Sequence, residues 1–225
     1  RGEARASAIV DTGGRATFVE GDASDRSSLE QARGEVHASL GVCDVLVNAA
    51  GGNDTRASVN ESQRFEDIPL EAWNQVIGSN LAAGALLPTQ VFAPTMIGLG
   101  RGSVINIASV AAHVPVSGGV TYSAAKAAVL NLTQFLSREW AKSGVRVNSI
   151  TPGFFPADQN SRLLFHDDGS LTDRGTTIIN ATPAGRFGSP DELIGAAVFL
   201  ASHAASGFVT GIDLRVDGGF LASTI

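Results

Sequence analysis

The chain has 225 residues, 44% of them hydrophobic and 17% charged, which is enough for one sizeable core and indicates a compact α/β protein with a single domain. The net charge of −6 without a basic stripe argues against a nucleic-acid partner, and no uninterrupted apolar run approaches the roughly 20 residues of a membrane span. Cys43 is the only cysteine, so an intramolecular disulfide is excluded and a cytoplasmic location is expected.

Helical and strand patterns alternate along the chain. Helices are predicted at 3–11, 27–40, 70–96, 121–142 and 190–202, and strands at 15–20, 43–47, 103–108, 145–150 and 212–216. Ser27 and Glu30 resemble a capping box that opens the second helix, whereas Pro88 and Pro94 are expected to bend or break the third. This alternation predicts parallel strands joined by helical crossovers, and therefore a doubly wound α/β fold in one domain over residues 1–225.

The segment 152–188 is rich in glycine, aspartate and asparagine and is too long for an ordinary connection between elements. We therefore expect a lid over a substrate at about 154–188. His113 and His166 have no partner at the spacing of metal ligands, so no metal site is predicted.

Tyr122 and Lys126 lie four residues apart and so share one face of a predicted helix. Thr121 is expected to cap that helix. A phenol has a pKa of about 10, too high for a useful base at neutral pH, and a nearby ammonium is expected to lower it. Ser109 closes the preceding apolar strand, which brings a hydroxyl to the strand end beside that helix. Such a set suits polarising and protonating a carbonyl oxygen.

Four further motifs accompany this set. In chain order they are Asp22 after 17–21, Asn48-Ala-Ala-Gly51 after an apolar run, Pro152-Gly153 after 145–151, and a closing strand within 210–219. With them the chain resembles the short-chain dehydrogenase/reductase family over nearly its whole length. The resemblance implies a Rossmann-type, mostly parallel sheet flanked by helices. It also implies reversible hydride transfer between a secondary alcohol and NAD or NADP.

The resemblance further implies roles for individual residues. Ser109 would orient the carbonyl oxygen, Tyr122 would be the acid and base, and Lys126 would lower the pKa of Tyr122 and bind ribose hydroxyls. Asn80, in the predicted 70–96 helix, would hold a water with its amide and maintain the proton relay. Cofactor contacts are expected from Asp22, Ala23, Asn48, Ala49, Ala50, Gly51, Tyr122, Lys126, Pro152, Gly153 and Phe155.

The family's Gly-rich turn, Thr-Gly-x-x-x-Gly-x-Gly, cradles the pyrophosphate at a helix N-terminus and has no counterpart in this sequence. The glycines at 98–102 precede a predicted strand and do not match it. About two strands and a helix, roughly 40–50 residues, are therefore expected before Arg1. The residue that selects NAD or NADP would lie there, so both cofactors stay open.

A narrower group of motifs resembles the D-mannonate oxidoreductase branch of the family. It comprises residues 48–53, 87–92, 152–155, 159–160, 163–165, 168–172 and 185–188. The resemblance implies interconversion of D-mannonate and D-fructuronate. Asn53, Gln159 and Asn160 are candidates for the substrate hydroxyls, and Arg162 for its carboxylate, which a guanidinium can bind through two hydrogen bonds. The alternatives are a 3-oxoacyl thioester, a neutral polyol, or a non-catalytic relative that binds nucleotide or only partners.

The expected partners are a small-molecule substrate and further copies of the chain, with no membrane. Members of the family are commonly tetramers, and apolar faces on the predicted helices 70–96 and 121–142 are compatible with a helical interface.

Overall fold

The computed structural model describes residues 1–116, 118–157 and 160–223. Its centre is a four-stranded sheet in which every neighbouring pair is parallel and the spatial order follows the chain order. The strands are β1 (Val45–Asn48), β2 (Gly102–Ile107), β3 (Val145–Pro152) and β4 (Asp213–Val216). The predicted parallel, doubly wound architecture is confirmed.

Helices connect and flank the strands. They are α1 (Gly2–Asp11), α2 (Arg26–Leu40), α3 (Leu70–Ile77), α4 (Leu87–Leu99), α5 (Val120–Trp140), α6 (Ser161–Leu164), α7 (Asp173–Ala181), α8 (Ile194–Ala201) and α9 (His203–Ser206). The capping box predicted at Ser27 is wrong, because α2 begins one residue earlier and Asp25 caps it by accepting from Ser27 N.

The strand predicted at 15–20 is also wrong: none of the four strands pairs with this segment, which has no regular structure. A β-strand is stabilised by the ladder it joins, so a β-favouring sequence without a neighbouring strand stays irregular.

The two faces of the sheet build separate cores because side chains alternate along each strand. On one face, Val104 and Val147 pack against Met96 of α4 and Trp140 of α5. On the other, Ile105 packs with Ile150 and with Leu200 of α8. The sheet is therefore covered by helices on both sides, as a parallel sheet requires.

Residues Leu70–Leu99 form one continuous helical run in which α3 passes through a π-helical stretch, Gly78–Leu86, into α4. Neither Pro88, which follows the π-helical stretch, nor Pro94, inside α4, breaks the run, contrary to the prediction that they could do so. By length and composition this run could cross a membrane. The sequence had predicted no segment long and apolar enough to do so. The run is a core helix of this fold, in contact with α2, α5 and β2.

The segment between β3 and α8 folds back on itself. Gly188 N donates to Phe154 O at 2.9 Å, which joins its two ends. Inside it α6 packs against α7, and the rings of Phe165 and Phe187 meet edge to face at 5.5 Å. The long connection anticipated at 154–188 is therefore a small helical excursion at the carboxyl end of β3.

Candidate active site

The residues expected to act on a substrate lie where the strands end. Ser109 lies two residues after the end of β2, Pro152 is the last residue of β3, and Gly153 follows it. Ile107 of β2 pairs with Ile150 of β3, so the two strands end at nearly the same level. In an open parallel sheet, ligands bind in the crevice outside the carboxyl ends of the strands.

Ser109, Tyr122 and Lys126 come together at this edge. The Ser109 hydroxyl interacts with the Tyr122 phenol and favours its phenolate form, which lowers the pKa. Lys126 Nζ lies 5.7 Å from the centroid of the Tyr122 ring and donates to Ile107 O at 2.8 Å. The helix that carries Tyr122 and Lys126 is capped differently from the prediction: it starts at Val120, and Thr121 Oγ1 instead donates to Ala57 O at 2.9 Å.

Burial dominates the electrostatics of this set. It raises the pKa of Tyr122, and the interaction with Ser109 opposes this rise. It also lowers the pKa of Lys126 to about 8, so the ammonium form still prevails at neutral pH. The pKa of Tyr122 is therefore raised, whereas the sequence predicted that Lys126 would lower it. The reason is that Lys126 points to a backbone carbonyl, while the phenol loses solvent.

Asn80 occupies the π-helical stretch and is completely buried. Its Nδ2 donates to Gly52 O at 2.6 Å and to Val76 O at 2.9 Å, and its Oδ1 accepts from Gly52 N at 3.1 Å. The amide is thus committed to the backbone of the loop after β1. The side chain fixes the loop, and the proton relay through Asn80 stays a prediction.

Gly51 lies next to that contact, at a position that only glycine can occupy. Its φ is +137°, and a Cβ there would lie 2.4 Å from Asn80 Oδ1. The side chain of Asn48 is buried away from this loop, where its Nδ2 donates to Thr89 Oγ1 and to Asn106 Oδ1, both at 2.8 Å. The predicted contact of Asn48 with a cofactor stays a prediction; its side chain serves to join β1, β2 and α4.

The wall beside Tyr122 is built by the loop before α3. The Tyr122 ring packs against Ala57 of this loop and Val76 of α3. Asn53 Nδ2 donates to Ser58 Oγ at 3.1 Å and lies next to Gly119, just before α5. Asn53 is therefore close to the start of the helix that carries Tyr122.

The other residues predicted to contact the cofactor are exposed or partly exposed. Ala49 and Ala50 are exposed after β1, and Ala23, Pro152, Gly153 and Phe155 are partly exposed. Asp22 is exposed, and its carboxylate accepts from Ser24 N and Ser24 Oγ.

These residues fit a nicotinamide nucleotide. Small side chains leave the backbone after β1 accessible, and the Lys126 ammonium makes one hydrogen bond within the described residues. An ammonium has three donors, so two remain for ribose hydroxyls.

The residues predicted to bind the substrate differ in their surroundings. Gln159 lies outside the described residues. Asn160 shapes its own loop, because Oδ1 accepts from Ala157 N at 2.7 Å and Nδ2 donates to Phe155 O at 2.9 Å. The contact of Asn160 with a substrate hydroxyl stays a prediction. Arg162, on α6, is exposed and forms no ion pair with a residue in the described part of the chain.

One polar cluster near this edge is not apparent from the sequence. His113, just after the Ser109 turn, contacts Asp213 of β4, which is a hundred residues away. No motif or spacing connects them, so only the pairing of β3 with β4 reveals the contact.

Comparison with known proteins agrees with this site. A family model described as enoyl-(acyl carrier protein) reductase matches residues 1–221. The uncharacterized oxidoreductase UxuB of Bacillus subtilis is 40% identical over 230 residues, covering 99% of this chain and 82% of that protein.

Two solved structures share the fold and carry nicotinamide nucleotides. A proposed D-mannonate oxidoreductase from Haemophilus influenza with bound NAD has a TM-score of 0.91 and 39% identity, over 99% of this chain and 82% of that one. A gluconate 5-dehydrogenase from Burkholderia cenocepacia, in complex with NADP and tartrate, has a TM-score of 0.86 and 33% identity, again over 99% and 82%. The chain belongs to the short-chain dehydrogenase/reductase family and is an oxidoreductase that uses NAD or NADP.

Proposed function

We propose that the protein interconverts a secondary alcohol and a ketone on a sugar acid, with D-mannonate and D-fructuronate as the pair. The observation that carries this proposal is the meeting of Ser109, Tyr122 and Lys126 at the carboxyl ends of β2 and β3.

Each of the three side chains has a part in the reaction. The hydroxyl of Ser109 donates a hydrogen bond to the substrate oxygen. During reduction the Tyr122 phenol gives its proton to that oxygen, and during oxidation the phenolate takes it back. Lys126 keeps a positive charge nearby, which favours the phenolate, and binds the ribose hydroxyls. The bound nicotinamide supplies or accepts the hydride.

The sugar-acid substrate is supported by the related structures. One is a proposed D-mannonate oxidoreductase, and the other is a gluconate 5-dehydrogenase in complex with tartrate, a hydroxylated acid. A polyhydroxy acid needs several fixed polar partners and a cation, because each unpaired polar group in a closed site costs about 1–3 kcal/mol. Asn53 is the described candidate for a hydroxyl and Arg162 for the carboxylate.

We further propose that the protein acts in the cytoplasm as a homo-oligomer, with a tetramer expected. Large apolar side chains on the surface support self-association: Phe208 is fully exposed, and Leu70 is 72%, Val198 60% and Phe135 51% exposed. Leu70 and Phe135 lie on α3 and α5, the helices expected to form an interface.

The substrate is tested by assaying the purified protein with both cofactors on aldonates, ketoaldonates, neutral polyols and 3-oxoacyl thioesters. We expect the highest kcat/KM for D-mannonate oxidation and D-fructuronate reduction. A clear preference for a polyol or a thioester would refute the sugar-acid substrate and leave the oxidoreductase class standing. No turnover on any substrate, with nucleotide still bound, would indicate a non-catalytic relative.

Tyr122→Phe tests the acid and base. The variant keeps the ring against Ala57 and Val76 and removes the transferable proton. Turnover should fall by about 10²–10⁴-fold, while nucleotide affinity changes little. Near-normal turnover in a folded variant would exclude the assignment.

Arg162→Ala tests the carboxylate contact. Loss of a bidentate, charge-assisted pair should raise KM for the sugar acid by at least about tenfold. Any activity on a neutral polyol should hardly change, because that substrate has no carboxylate. Arg101→Ala removes an exposed arginine at the opposite end of the sheet and should alter neither value. An equal effect on the acid and the polyol would contradict the proposed contact.

A further inference from the structure

An imidazole–carboxylate pair lies behind the turn that begins at Ser109. His113 Nε2 is 3.0 Å from Asp213 Oδ2, and the two side chains are only 21% and 20% exposed. An ionised carboxylate only accepts hydrogen bonds, so Nε2 carries the proton in this contact. Neither residue has a part in the reaction proposed above.

Asp213 is a fixed anchor for this imidazole. Its Oδ1 accepts from Ser149 Oγ at 2.7 Å and from Thr151 Oγ1 at 2.8 Å. Ser149 and Thr151 belong to β3, and Ser149 is the register partner of Asp213. The carboxylate is therefore held from two points on a neighbouring strand, and removal of His113 leaves both of those bonds in place.

The turn that His113 ends is a single short one, closed by backbone bonds from Ala112 N to Ser109 O at 2.9 Å and from Val114 N to Val110 O at 3.2 Å. Ser109 is the N-cap of the single 3₁₀ turn Val110–Ala112, and its Oγ accepts from Ala111 N at 3.2 Å. His113 is the C-cap and donates its backbone N–H to Val110 O at 3.0 Å. The orientation of the Ser109 hydroxyl thus depends on the geometry of a turn whose other end is held by the imidazole.

Burial of the turn cannot replace this directional contact. Val110 and Ala111 are 2% and 7% exposed, so the turn packs against the core through apolar contacts, which are not directional. A hydrogen bond restricts direction as well as distance.

We propose that His113 is a positioning residue for Ser109: by binding Asp213 it fixes the turn that aims the Ser109 hydroxyl at the substrate oxygen. This inference rests on the proposed function, because it assumes that Ser109 contacts the reacting carbonyl. Misplacement of a reacting group by about 1 Å can cost on the order of 10²-fold in rate, so a loosened turn should be visible in kcat.

Kinetics of four variants in the whole protein test the proposal. His113→Leu and Asp213→Asn should each lower kcat by roughly 10- to 100-fold and leave KM for the nucleotide within about twofold. His113→Gln can place an amide N–H near the position of Nε2 and should recover most of the lost turnover. Asp44→Asn makes the same carboxylate-to-amide change in a pair at the other end of the sheet and should have no effect.

Coupling to Ser109 separates positioning from a general loss of structure. Adding His113→Leu to Ser109→Ala should lower kcat no further, because the hydroxyl that it aims is already gone. Losses that multiply in the double variant, or a His113→Leu kcat within about twofold of the unmodified protein, would overturn the proposal. A general defect would lower kcat equally in both backgrounds.

A crystal structure of His113→Leu keeps this test independent of the reaction. A Ser109 Oγ displaced by about 1 Å supports the positioning role, and an unmoved Ser109 overturns it, whatever the activity. Failure of the proposed function has a different signature: the unmodified protein is inactive on every substrate, or Ser109→Ala retains full turnover.

Discussion

The phenol of Tyr122 is held neutral by its surroundings. Its ring packs between apolar residues, burial raises its pKa, and the interaction with Ser109 recovers only part of the rise. Lys126 has its own pKa lowered to about 8 by burial and donates to Ile107 O. In the protein without cofactor, therefore, the pair is set up with the proton on the phenol, as reduction of a carbonyl requires.

A direct titration can verify this. Tyr122 is the only tyrosine in the chain, so the near-ultraviolet absorbance of phenolate reports on it alone. We expect a midpoint above the pKa of free tyrosine, and a higher one still in Ser109→Ala, because the opposing interaction is lost. Tyr122→Phe provides the blank, and circular dichroism at each pH confirms that the fold persists. A midpoint below that of free tyrosine would contradict the structure.

The loop after β1 connects a strand end to the π-helical stretch. Asn80 holds both polar groups of the Gly52 backbone, and Gly51 adopts a conformation that a side chain would block. The loop thus has one fixed shape beside the exposed Ala49 and Ala50, where we expect the cofactor to lie. A π-helical turn frequently marks a functional site, and here it brings Asn80 to the loop.

Gly51→Ala should disrupt this arrangement. The new Cβ would meet Asn80 Oδ1 at 2.4 Å in a region of φ unfavourable to alanine, at a cost of about 1–3 kcal/mol in the free energy of unfolding. We also expect nucleotide affinity, measured by calorimetry, to fall by about tenfold. Gly52→Ala is the matched control, since no atom lies within 4 Å of its added Cβ. Equal behaviour of the two variants would show that the loop is not constrained as described.

An apolar patch lies on the α8 side of the sheet. There α8, which packs over β2 and β3, presents Ile194 and Val198, 56% and 60% exposed, and Phe208, which follows α9, is wholly exposed. A patch of this kind typically marks an interface between proteins. The oligomer that we propose is therefore expected to use this side of the sheet in addition to the faces of α3 and α5.

Phe208→Asp should weaken self-association. Light scattering coupled to size exclusion should show a smaller particle than the unmodified protein gives, because a charge replaces a large apolar side chain in the interface. Leu40→Asp, a similar change at the end of α2, is 43% exposed and belongs to the opposite side of the sheet, so it should leave the mass unchanged. An unchanged mass for Phe208→Asp would exclude this patch from the interface.

The order of the elements and the edge at which Ser109, Tyr122 and Lys126 meet follow from local pattern. Alternating apolar periods predict parallel strands, and a residue just after such a strand must lie at its carboxyl end. What Asn48, Asn80 and His113 do could not be predicted in this way. A side chain of each type forms hydrogen bonds equally well with backbone, side chain or ligand, and the partner is chosen by which residues the fold brings within about 3 Å. Thr89, Gly52 and Asp213 are distant in sequence and become those partners only through helix packing and strand register.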